Sequence, residues 1–174
     1  MLVSILISQQ LLADNKEFIS LTLPVIQIAE VGNKEIGFWV EDKRQSNMIG
    51  KSLDEKEIIP NEDVAAFLAA FIRSDLSHAN YRVRPYSSDQ SGFVIELDSI
   101  TYKVNKAKIK STAEIKITFT LKVNGATSRQ KYTVSTSKDY AWKPTEKNKG
   151  ELLGEALSSV WEATLKSDQV QSLL

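Results

Sequence analysis

The side chains able to carry chemistry in this chain are few and widely spaced. His78 is the single histidine among 174 residues, and there is no cysteine. A thiolate nucleophile, a cysteine-held metal and a disulfide are therefore excluded. A lone histidine at the end of a helix-like segment is favoured by the helix dipole and needs no role as a proton shuttle. A zinc site built on it would need three carboxylates around it, which the spacing does not offer. Serines and aspartates are plentiful, yet no Gly-x-Ser-x-Gly turn presents a nucleophile. Gly50-Lys51 lacks the preceding spaced glycine of a phosphate loop. Asp54, Glu55 and Glu57 crowd one stretch without the regular oxygen spacing and central glycine of a calcium loop. The reading is of a non-enzyme with no catalytic residue, no cofactor and no metal, and a hydrolase ranks last among the alternatives.

What remains suits recognition. Tyr140, Trp142 and Lys143 fall in the run Tyr140-Ala141-Trp142-Lys143-Pro144. Large aromatics on a loop are costly to expose, and interface centres are enriched in them. Two readings stand side by side: the run anchors a partner, or Trp142 folds under the following helix and closes the core. Asp42 and Arg44 lie where a strand leaves its sheet. They make either a site with Asp42 as base or ligand, or a structural pair and Asx-turn that fixes the departing chain.

Charge is distributed unevenly. Residues 1–63 hold six Lys or Arg against eleven Asp or Glu, whereas residues 100–150 hold twelve against three. A basic half of this kind offers a surface to an anionic partner. Lysines on the outer face of a ribbon also keep its edges from pairing with other chains, and the acidic half can sit beside the basic half in the fold. Few aromatics interleave with the basic residues, so no nucleic-acid partner is expected.

The elements that must position these residues are read from periodicity. Between Lys106 and Thr136, apolar Ala107, Ile109, Ala113, Ile115, Ile117, Phe119, Leu121 and Val123 alternate with polar residues, break at Asn124-Gly125, and resume at Tyr132 and Val134. Period two predicts strand, and Asn-Gly predicts a two-residue type I′ hairpin turn. Further strands are expected at Ile19–Ile28, Glu35–Glu41, Tyr81–Tyr86 and from Phe93 to Val104, the last with a parity flip at Asp98-Ser99 that predicts a bulge. A turn is expected at Gly32-Asn33, and loop over Asp42–Ile59 and Lys138–Gly150. Val64, Phe67, Leu68, Phe71, Ile72 and Leu76 predict one helix, capped by Asn61. Leu152, Leu153, Ala156, Leu157, Val160 and Trp161 predict a second, with Asp168 capping a short last turn. The expected order is β-β-α-β-β-β-β-α: an α+β fold with a mostly antiparallel sheet, a long hairpin, and two helices packed on one face.

The division of the chain follows. Residues 1–18 form a signal remnant or a packing segment, because MLVSILISQQLLA has the length of an export-signal core but no basic residue ahead of it. It is too short to span a bilayer. Residues 19–174 make a single α+β domain.

With the elements in this order, the chain resembles the YajG-type family of uncharacterised bacterial lipoproteins. The resemblance is carried by the second strand running into Asp42 and Arg44 and then Ile49-Gly50, by the helix leading into Asn80-Tyr81-Arg82-Val83, by the Asn124-Gly125 hairpin, and by the last helix with its Asp168–Leu174 tail. It covers roughly Ser20 to the C-terminus. The resemblance implies a periplasmic or outer-membrane-associated protein of a Gram-negative bacterium with no known enzymatic activity. Asp14 stands where a lipobox cysteine would follow Leu11-Leu12-Ala13, so lipidation of the chain as given is not expected. The function expected is binding to other envelope proteins, as a subunit of a larger envelope or secretion assembly, with membrane association. The alternative is a module that binds a small lipid or glycan.

Overall fold

The densest alternation in the sequence becomes a strand paired on both sides, one in from the edge of the sheet. In the computed structural model, which describes residues 15–22, 34–88, 90–124 and 129–174, strand β7 (Ser111–Val123) buries Ala113, Ile115, Ile117, Phe119 and Leu121 completely. The intervening Glu114 and Lys116 stay in solvent. One face of β7 is core and the other is surface, as its period of two requires.

On one side β7 pairs antiparallel with β6 (Gly92–Lys106), and on the other with β8 (Gln130–Tyr140). The β6–β7 register slips between Leu97 and Ser99, which is the bulge expected from the parity flip at Asp98. Ala107–Lys110 form the turn between these strands, closed by the Ala107 N–H donating to the Lys110 carbonyl at 2.8 Å. Ala107 and Ile109 are therefore turn residues rather than the inward positions their parity suggested. Between β7 and β8, Leu121 lies opposite Gln130. A two-residue turn at Asn124-Gly125 would set Leu121 against Ser128, so the observed ladder is offset by two residues. An even offset keeps Phe119 with Tyr132 and Ile117 with Val134 on the same face. Gly125 itself lies outside the described residues.

The far edge of β6 is shared by two groups of strands. Along Gly92–Leu97 it pairs parallel with β2 (Glu35–Asp42), which in turn pairs parallel with β5 (Arg82–Pro85). Beyond the bulge, Tyr102 pairs with Gly50 of β3 (Gly50–Lys51). Strand β4 (Glu57–Pro60) runs antiparallel to β3, and β1 (Lys16–Ile19) runs parallel to β4. The fold is α+β, but the sheet is mixed and most of its strand pairings are parallel, which corrects the mostly antiparallel expectation. Parallel partners must be joined by long crossovers, and here Glu35 of β2 meets Arg82 of β5, a distant partner that local periodicity cannot reveal. Strands β3 and β4 occupy the stretch expected to be loop. Of the strand expected at Ile19–Ile28, only its first residue belongs to β1. Residues 23–28, the Gly32-Asn33 turn and the Met1–Ala13 segment lie outside the described residues.

Three helices, rather than two, complete the described chain. Helix α1 (Val64–His78) packs on β2 and β5, and α2 (Glu146–Leu165) packs on β1, β7 and β8. The short α3 (Asp168–Gln171) follows. The α1 cap is Asp63, whose carboxylate accepts from the Ala66 N–H at 3.0 Å. Asn61 instead donates to Ser20 Oγ at 2.9 Å. Helix α2 begins inside the expected loop because Thr145 and Asn148 form a reciprocal capping box. Ser167, not Asp168, occupies the cap position of α3.

The core centres on Phe93, fully buried, with its ring centroid 5.8 Å from Phe38 and 6.0 Å from Trp161. The Trp161 indole N–H donates to the buried Asp75 carboxylate at 2.5 Å, which ties α2 to α1. Gly150 lets α2 lie directly on the chain after β1, since a Cβ there would strike the Ser20 carbonyl.

Candidate functional site

Asp42 ends β2, and the chain turns back on it. Its Oδ1 accepts from the Arg44 backbone N–H at 3.0 Å and from Arg44 Nε at 2.9 Å, and its Oδ2 accepts from Arg44 Nη2 at 2.6 Å. This is an Asx-turn reinforced by a two-point guanidinium pair. Burial pulls the Asp42 carboxyl upward, but the side-chain and backbone hydrogen bonds and the charge of Arg44 outweigh it and hold the group below its ordinary range. A carboxylate held ionised in this way is a weak base. The pair clamps the chain as it leaves β2 towards Ile49 and Gly50. Gly50 passes directly against Tyr102, where a Cβ would meet the Tyr102 carbonyl.

Asn124 serves a loop rather than a tight turn. Its backbone N–H donates to the Gly92 carbonyl at 2.9 Å, its amide reaches the Ser87 and Gln90 carbonyls, and its oxygen accepts from the Tyr86 hydroxyl. It thereby pins the connection between β5 and β6. Periodicity gave no hint of this role, because every partner lies more than thirty residues away.

At the other end of β6 lie the three aromatic-loop residues. Tyr140 closes β8, half-buried, with its hydroxyl donating to the Asn148 carbonyl at 3.4 Å. Burial raises its phenol above the ordinary value. Trp142 is 81% exposed, so it does not fold under α2. Its carbonyl accepts from the hydroxyl of buried Ser111, and Lys143 pairs with Asp54. The loop backbone is thus held on both sides while the indole stands out. Next to it Ile109, in the β6–β7 turn, is 87% exposed. The two loops and Leu53 border an open cleft of about 590 Å³.

Beneath this end is a polar cluster that sequence reasoning missed. Lys149, 1% exposed, pairs with buried Glu17 of β1. Tyr102 packs in the same region, its phenol raised by burial, with contributions from Tyr140 and Glu17. Acidic first-half residues therefore meet basic second-half residues directly, at Glu17 with Lys149 and at Asp54 with Lys143. His78 Nδ1 lies 2.7 Å from the Ser74 carbonyl within its own helix. Among the described residues no three His, Asp or Glu side chains converge as a metal site, and no helix is long and apolar enough to cross a membrane.

A search of curated proteins finds no match. Among solved structures, a DUF330-family protein from Xanthomonas campestris shares the fold at a TM-score of 0.55 and 10% identity, covering 90% of this chain and 96% of that one. Rare lipoprotein B from Shewanella oneidensis aligns at a TM-score of 0.39 and 14% identity, over 80% of this chain and 87% of that one. A putative neuraminyllactose-binding hemagglutinin homologue from Helicobacter pylori aligns at 0.44 and 9%, over 87% and 95%. The family model for uncharacterised lipoproteins matches residues 23–174, and the chain belongs to that family.

Proposed function

We propose that this chain is a non-enzymatic envelope protein that works by binding another envelope protein along the open edge of β8. One observation carries the reading. The core-facing residues of β7 are fully buried, whereas Tyr132, Val134 and Thr136, on the same face of β8, keep some exposure at the edge of the core. β8 is eleven residues long and pairs only with β7 among the described residues. A long unpaired edge with apolar side chains beside it is what strand addition uses: the main chain supplies affinity, and the alternate side chains supply selectivity. Membership of a lipoprotein family fits an envelope setting.

A photo-crosslinking residue at Ser135, exposed on β8, tests this in the native host, with the same residue at exposed Lys147 of α2 as control. A discrete adduct from position 135 that is absent at position 147 is the expected result. Equal labelling at both positions, or no adduct at either, overturns the reading.

A further inference from the structure

The end of the molecule around Trp142 combines exposed apolar side chains with unpaired lysines. Ile109 and Trp142, on neighbouring loops, are the two most exposed large apolar side chains described. Each is fixed by its backbone: the turn bearing Ile109 closes through Ala107 and Lys110, and the loop bearing Trp142 is held by Ser111. Exposure is therefore built in.

Around them lysine outnumbers acid: Lys106, Lys108, Lys110 and Lys143 border the cleft, with Asp54 the one carboxylate of its lining. From Lys103 to Lys110 the chain holds four lysines and no acid. Lys110 is paired with Asp139, but Lys106 and Lys108 have no ion pair among the described residues. An aliphatic and an indole side chain beside two unpaired lysines match the headgroup layer of an anionic bilayer, where indoles settle and ammonium groups meet lipid phosphates.

The route of the chain points the same way. The Asn15 carbonyl accepts from the Glu57 N–H at 2.9 Å, and Lys16 lines a recess whose walls include Asp54 and Lys143. Those two residues also border the cleft beside Trp142. Asn15 and Lys16 thus lie at this same end.

We infer that the Ile109–Trp142 end is a membrane-contact surface that seats the domain on an anionic bilayer, with Lys106 and Lys108 meeting the headgroups. This surface is separate from the β8 edge and stands or falls without it.

The test uses the full chain carrying Trp39→Phe, so that Trp142 is the exposed indole and Trp161 the buried one. Vesicles of phosphatidylglycerol and phosphatidylethanolamine are compared with phosphatidylcholine alone. The expected results are a blue shift and loss of acrylamide quenching on the anionic vesicles only, reversed by high salt. Ile109→Ser with Trp142→Ser should weaken vesicle sedimentation about tenfold. Lys106→Gln with Lys108→Gln should weaken it about fivefold per lysine. Every variant retains Met1–Ala13, so unchanged sedimentation of the double serine variant would assign binding to that segment and overturn the inference. A Trp142 already shielded from acrylamide without vesicles would mean that the chain's own residues cover it, and would overturn it too.

Discussion

The two halves of β6 make opposite uses of one strand. From Gly92 to Leu97 every residue is buried, because β2 and β7 flank the backbone and Phe93, Ile95 and Leu97 point into the core. After the bulge burial alternates, with Ile100 and Tyr102 still buried and Thr101 and Lys103 exposed, and from Asn105 onward the strand leads into an exposed turn. The difference teaches that stability and surface chemistry are segregated along this molecule. Substitutions in the first half should cost folding energy, and substitutions at the far end should cost almost none.

Phe93→Ala should show the largest effect. It removes a fully buried ring from between Phe38 and Trp161, at a cost of about 3–5 kcal/mol in urea unfolding. A loss below about 1 kcal/mol would mean the core is not centred there. Trp161→Phe keeps most of the ring but withdraws the indole N–H from buried Asp75, and should cost about 1–3 kcal/mol.

Asp42 sharpens the comparison, since it lies at the end of β2 beside the bulge, where cover gives way to surface. Its carboxyl is held below the ordinary value, so its contribution is complete above about pH 4 and is lost as pH falls through the lowered folded-state value. Asp42→Asn should cost about 1 kcal/mol at neutral pH. The gap between variant and wild type should close below about pH 4 in acid titrations of stability. A gap that persists there would show that packing, not charge, matters. Last in magnitude, Ile109→Ser with Trp142→Ser should shift stability by less than about 0.5 kcal/mol. A larger loss would erase the distinction between the two ends.

Periodicity made β7, the bulge at Asp98 and the inward faces of both long helices legible, because each rests on a pattern repeated over many residues. It missed β3 and β4, whose two and four residues are too short to show a period. It also missed the parallel pairings, because a partner such as Arg82 for Glu35 is fixed by the crossover rather than by local sequence. The Thr145–Asn148 cap went unread because asparagine replaces the usual glutamate or glutamine of that motif. At the candidate site, Trp142 admitted two readings until the Ser111 hydrogen bond fixed its loop. Ile109 was misread outright, because a turn interrupted an alternation that looked continuous.

The buried pair of Glu17 and Lys149 has a consequence in time. Its members are 132 residues apart, and a buried carboxylate without its cation is strongly unfavourable. The pair can therefore close only after α2 has been synthesised and docked, whereas β1 can pair with β4 earlier. Closing this contact across most of the chain is among the last acts of folding.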